Sequence, residues 1–183
     1  MANRAYLYSH HPEEELSYRD LGEWNYEVPV VHLLLVGANS SPCPSAIWQV
    51  EQKIAIQGDA PKGRSLVLQF LDWLVPQLPD AFSQAADTAK AFLTRPDRQG
   101  RHYHLEPGEI YEGMGLGLAA MERETLSMAT LAQDLFHEVT RLLEETGTSL
   151  DDANHERLKD LENKWEKTLG LGFSDAVYHH LGG

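Results

Sequence analysis

From Leu118 to Leu142 apolar side chains return every three, four or seven residues, at Leu118, Met121, Met128, Leu131, Leu135, Val139 and Leu142. A chain that keeps this rhythm over so long a stretch can bury those side chains together only as an α-helix. The opposite side carries Arg123, Thr130, Asp134, His137, Glu138, Arg141 and Glu145, a mixture of charges that belongs in water. The helix is expected to run to about Thr146 and to end at Gly147. Before it stand Gly113, Gly115 and Gly117, which disfavour helix because each costs about 1 kcal/mol relative to alanine.

A second helix is expected to start near Ser149. Ser149 and Asp152 have the spacing of a capping box, with aspartate in the place of glutamate. Leu158, Leu161 and Trp165 form its apolar stripe, and Asp160 and Lys164 make an i,i+4 pair worth a few tenths of a kcal/mol. Gly170 and Gly172 end it. Phe173, Ala176, Val177, Tyr178 and Leu181 then tuck a short apolar tail onto the core. The second half therefore reads as a long helical hairpin.

The first half mixes periods. Ala2 to Tyr8 alternates like a strand, with Tyr6 and Tyr8 on one side and Ala5 and Leu7 on the other. His10 to Glu15 reads as a solvated loop. Trp24, Tyr26 and Val28 alternate, but Pro29 limits pairing there. The run from Pro29 to Leu35 reads as a short buried helix ending near Gly37, with a buried strand as its competitor. Ala38 to Ser45 is a loop by composition, Ile47 and Trp48 could begin a strand, and Lys53 to Gln57 alternates as a strand. After a turn at Gly58 to Gly63, helices are expected over Ser65–Val75 and about Pro79–Leu93, stopped by Pro76 and Pro96. Arg95 to Gly108 is polar and reads as an exposed connector with a short extended piece. The fold expected is α+β in a single domain over residues 1–183: a small N-terminal β-sheet packed by helices within about residues 1–95, and a helical part from about 109 to 183.

Charge constrains partners. The chain has 183 residues and a formal net charge of −13, and residues 101–183 carry 16 acidic against 7 basic side chains. Such a surface repels phosphate backbones and anionic membranes and attracts basic proteins. No apolar run approaches the length that spans a bilayer, and the N-terminus lacks the apolar stretch of a secretory signal, so residence in the cytoplasm is expected. The single cysteine, Cys43, lies between Pro42 and Pro44 and reads as an inert loop thiol; reactivity would need a nearby histidine or helix N-terminus.

Four constellations bear on chemistry. His102-x-His104-x-Glu106 would project three donors to one side of an extended segment, a pattern that suits zinc or another divalent metal. No other cofactor is suggested. Gly58-x-x-x-x-Gly63-Arg64-Ser65 imitates a phosphate-binding loop, but arginine stands where lysine is needed and Pro61 removes an amide. It reads better as a turn between a strand and a helix, with Ser65 or Asp59 near the helix cap. The pairs His10-His11 and His179-His180 point their members apart, so neither chelates alone. Asp134, Glu138, Glu144 and Glu145 give the long helix an acidic surface that would meet a basic partner.

Asn3-Arg4-x-Tyr6-Leu7-Tyr8-Ser9, Trp24-x-Tyr26-x-Val28-Pro29 and Ile54-x-Ile56-x-Gly58-Asp59 together resemble the opening of a group of uncharacterised bacterial proteins, over roughly residues 1–75. That resemblance implies no activity, cofactor or site residue. In general character, acidic, compact and α+β, the chain is similar to toxin-neutralising immunity proteins. The function expected is a non-enzymatic acidic binding protein, of the immunity type, for a basic protein toxin. The alternative is a metal-dependent enzyme built on His102, His104 and Glu106.

Overall fold

The computed structural model describes residues 3–14, 17–145, 161–162, 164–179 and 181. Five strands make one antiparallel sheet in the order β2–β1–β5–β4–β3, with β1 at Arg4–His10, β2 at Tyr18–Asn25, β3 at Ser41–Cys43, β4 at Ala55–Asp59 and β5 at His102–Glu106. Around it lie α1 (Val30–Gly37), α2 (Ala60–Leu74), α3 (Asp80–Leu93), α4 (Gly108–Gly113) and α5 (Leu118–Glu145). This is the α+β architecture expected. Among the described residues no helix is long and apolar enough to cross a membrane.

The two faces of the sheet differ in kind, and register shows why. Leu7 stands opposite Leu105, which stands opposite Ile56. With Ala5 and Tyr103 they make an apolar face that joins the main core under α1, α2 and α5. The intervening residues point the other way. There Tyr8 stands opposite His104 and His104 opposite Gln57, while Tyr6 faces Glu106 and His10 faces His102.

Residues 102–106 are therefore not an exposed connector. They form the central strand, and His104 and Glu106 are 2% and 1% exposed. The polar residues alternate with Tyr103 and Leu105, so one side satisfies the core and the other fills a polar face. Cys43 likewise lies in the short edge strand β3, not a loop, and Ile47 and Trp48 lie in no strand. The strand near Trp24 lies earlier than expected, and Tyr26 leaves it with φ of 69°.

α1 is buried throughout, from Val31 to Gly37. Pro29 precedes it, and its carbonyl accepts from the Leu33 amide at 3.2 Å. The helix lies so close to β4 and α2 that a Cβ on Gly58 would strike the backbone of Val36, and one on Gly63 the backbone of Leu35. α2 begins at Ala60, within the segment expected to turn. The Asp59 carboxylate caps it by accepting from the Lys62 amide at 3.0 Å, and Pro61 sits in the first turn. Helix extends also into the glycine segment, since α4 ends on Gly113.

The rotation of α5 departs from its apolar stripe. Its buried residues are Met121, Thr125, Ala129, Ala132 and Val139. Leu131 is 55% exposed and Leu118 is 38% exposed, although both belong to the expected stripe; Leu126 is 59% exposed. Close packing explains the difference. The Ala132 carbonyl lies 2.5 Å and Phe136 Cβ 2.7 Å from the position of a Cβ on Gly37, so small residues form the seam with α1. Turning Ala129 and Ala132 inward carries Leu131 to the outer flank.

Residues 164–169 are helical, as expected for the second arm, with Trp165 edge-on to Phe82 at 5.3 Å. The capping box at Ser149 and Asp152, Leu158, and the pair involving Asp160 lie outside the described residues.

Candidate functional site

Glu106 organises the polar face of the sheet. One carboxylate oxygen, Oε1, accepts from the Ala46 amide at 2.5 Å and pairs with His104 Nε2 at 2.8 Å. The other, Oε2, accepts from the Ser45 hydroxyl at 2.8 Å. Ser45 Oγ in turn accepts from the amides of Ile47 and Trp48 at 3.1 and 2.8 Å. A carboxylate can only accept, so His104 donates from Nε2, and in the neutral tautomer its Nδ1 is left as an acceptor. Cys43 Sγ lies 3.5 Å from that Nδ1 and donates to it.

Thiol, imidazole and carboxylate thus stand in the order of a nucleophile, base and orienting group. The environment does not activate the thiol. Burial, and then the charge of Glu106, push the Cys43 pKa up to about 12, with Lys53 opposing weakly. Cys43 is 5% exposed. The arrangement is a chain of hydrogen bonds that ties the loop after β3 to the central strand. Iodoacetamide at pH 8 is expected to alkylate native Cys43 about 100-fold or more slowly than the denatured chain, because the thiolate is the attacking form. Following the reaction by mass with and without guanidinium tests this; equal rates would contradict it.

The three donors expected to ligate metal do share one side of β5, but they do not act together. Two of them, His104 and Glu106, are bonded to each other, and Glu106 is further committed to Ser45 and Ala46. His102 turns toward His10, with ring centroids 6.2 Å apart. Among the described residues no three His, Cys, Asp or Glu side chains are grouped to hold a metal ion.

A C-terminal strap covers the tyrosine end of this face. Phe173 pairs with Gly22 on the β2 edge, and the Ser174 amide donates to the Leu21 carbonyl at 2.8 Å. Val177 is buried against Tyr6 and Tyr8. The Tyr8 hydroxyl donates to the His179 carbonyl at 2.6 Å, and the Tyr178 amide donates to Glu23 at 2.7 Å. Glu109 gathers the Tyr6 hydroxyl at 2.8 Å and His179 Nε2 at 3.0 Å. Burial, chiefly, raises the pKa of both tyrosines, so they remain neutral donors. Of the two histidine pairs, His10 stacks on Tyr18 at 4.5 Å, His179 sits at Glu109, and His180 is outside the described residues.

In Gly58–Ser65 the two glycines, Asp59 and Ser65 have structural roles. The two glycines admit α1, Asp59 caps α2, and Ser65 bonds Gln69.

The residues expected to meet a partner divide between two sides of α5. Asp134, Glu138, Glu144 and Glu145 are all exposed on α5. Spacings of three, four and seven align Leu131, Asp134, Glu138 and Glu145 along the solvent side. Glu144 turns toward α2, where it lines a groove of about 320 Å³ with Lys62, Leu66, Phe136 and Leu143. α5 carries six carboxylates against two arginines. Sequence reasoning found the carboxylates and missed the exposed leucines, whose register only the α1 seam determines.

Comparison with curated proteins and with solved structures yields no match. A family model matches residues 7–157, which run from within β1 past the end of α5, and by that match the chain belongs to DUF7822, a domain of unknown function.

Proposed function

We propose that the protein is a non-catalytic binding protein that docks a basic protein partner on the outer face of α5. The observation that carries this reading is Leu131, a large apolar side chain 55% exposed and aligned with Asp134, Glu138 and Glu145. An apolar anchor ringed by polar groups is how the energetic centre of a protein interface is built. The net charge of −13 would speed encounter with a basic surface. The closed condition of the Cys43–His104–Glu106 chain supports a structural rather than catalytic role for the polar face. An immunity-type inhibitor of a basic toxin in the cytoplasm is the finer form of the proposal.

Affinity capture with the wild-type protein and with a Leu131→Asp, Asp134→Lys, Glu138→Lys variant in parallel provides the test. A basic protein retained by the first and lost by the second is expected, and titration of that protein after purification should show binding about 100-fold or more weaker for the variant, or about 2.8 kcal/mol. Affinity should also fall as salt rises. Undiminished binding by the variant would contradict the proposal.

A further inference from the structure

His32 lies on α1 with no exposed surface, and neither of its ring nitrogens has a hydrogen-bond partner. Burying an unpaired polar group is unfavourable, and burying it charged is far more so. The start of the strap closes this site to water. Phe173 packs against the imidazole with centroids 6.0 Å apart and stacks on Phe92 at 5.7 Å, so it lies between the two. On the β2 side the Gly172 carbonyl, Phe173 Cα and His32 Nε2 all come within 4.0 Å of where a Cβ would stand on Gly22.

Among the described residues, no charged side chain acts on His32. On β2, Asp20 acts on Tyr8 across the other face of the sheet, and Glu23 pairs with Arg4. Beyond Phe92, Arg95 and Arg98 pair with Asp175 of the strap. α1 itself carries no other ionisable side chain, and it meets α5 through Ala132 and Phe136. Burial is accordingly the sole cause of the shift in the imidazole pKa, down to about 3.

We propose that His32 is an acid-operated latch on the C-terminal strap: a proton taken up by its imidazole lifts Phe173 and frees residues 173–179 from the sheet. Water reaches the ring only when Phe173 moves, so the open strap holds the proton that the closed strap refuses. The sign follows from the depressed value. Closure keeps its full stability above the ordinary histidine pKa near 6.5 and loses it as pH falls, with opening growing about tenfold per pH unit between 6.5 and 3. The pair with Asp175 opposes no part of this window, because Arg95 holds that carboxyl below its ordinary value. Opening bares Tyr6 and Tyr8, so acid would expose an aromatic face that is closed at neutral pH.

Hydrogen exchange of the full chain tests the latch, with amides 173–178 as the readout and those of β1 and β5 as the reference for global unfolding. His179→Gln is placed in every protein, so that no described residue of the strap is a histidine. Corrected for intrinsic rates, strap opening is expected to rise about 100-fold from pH 6 to pH 4 while β1 and β5 stay protected. His32→Leu should abolish the slope, and Phe173→Ala should raise exchange at every pH. A flat wild-type profile, a slope that survives His32→Leu, or core amides opening in step with the strap would each overturn the proposal.

Discussion

Replacing Glu106 with alanine is expected to remove roughly 4 kcal/mol of stability and to lower the thermal midpoint by about 10 °C. The carboxylate is 1% exposed and answers the Ser45 hydroxyl, the Ala46 amide and His104. Alanine leaves His104 unsatisfied where it is buried, and Ser45 and Ala46 where they are half-buried, and each unsatisfied buried group costs about 1–3 kcal/mol. Glu106→Gln keeps the shape but places an amide N–H₂ against a donor, and about half the loss is expected. Cys43→Ala removes only the weak terminal donor and should cost about 1 kcal/mol beyond its small cavity. Urea denaturation of the three variants gives this ranking directly. A Glu106→Ala protein within about 1 kcal/mol of wild type would show that the loop after β3 is held by something else.

Gly58→Ala is expected to cost about 3 kcal/mol or more. Its added methyl group would meet the carbonyl oxygen, carbonyl carbon and Cα of Val36. Backbone cannot rotate aside as a side chain can, so α1 must shift off β4 and disturb the core it fills. Gly63→Ala sharpens the argument, because propensity and packing oppose each other. Alanine is favoured over glycine in a helix by about 1 kcal/mol. The Leu35 backbone nevertheless stands where the methyl would go. The clash is the larger effect, so Gly63→Ala should destabilise; a stabilised variant would contradict the close seating of α1 on α2.

Local signals were legible in the sequence and long-range ones were not. The α+β class, α1, α2, α3 and the existence of α5 follow from period and from proline and glycine stops. β5 is legible only as a short extended piece, and its burial is hidden because its outward residues are histidine and glutamate, which look like a solvated stretch. The alternation of His102, His104 and Glu106 with Tyr103 and Leu105 was the signal available, and it becomes a central strand only when β1 and β4 flank it. The rotation of α5 is set by alanines, which carry little hydrophobic signal of their own, so the large apolar residues alone point to the wrong face. Ala129 and Ala132 face inward since α1 approaches too closely for leucine at that seam.

The same limit applied to the candidate site. Carboxylates at Asp134, Glu138, Glu144 and Glu145 could be placed on one helix by counting, whereas the pairing of Cys43 with His104 joins residues 61 positions apart. Nothing in the local sequence of Cys43 announces its partner. The histidine that its reactivity would need is present, yet burial holds the thiol protonated.

Hydroxyl-radical footprinting of the complex with the purified basic partner tests the proposed interface most directly, since it reads side-chain exposure residue by residue. Leu126 and Leu131 are 59% and 55% exposed in the isolated chain, and Tyr178 on the strap is 71% exposed. A partner seated on α5 should protect Leu131 strongly and leave Tyr178 as reactive as before. Protection of Tyr178 with Leu131 unchanged would place the partner on the strap and the polar sheet face instead, and would contradict the assignment of function to α5.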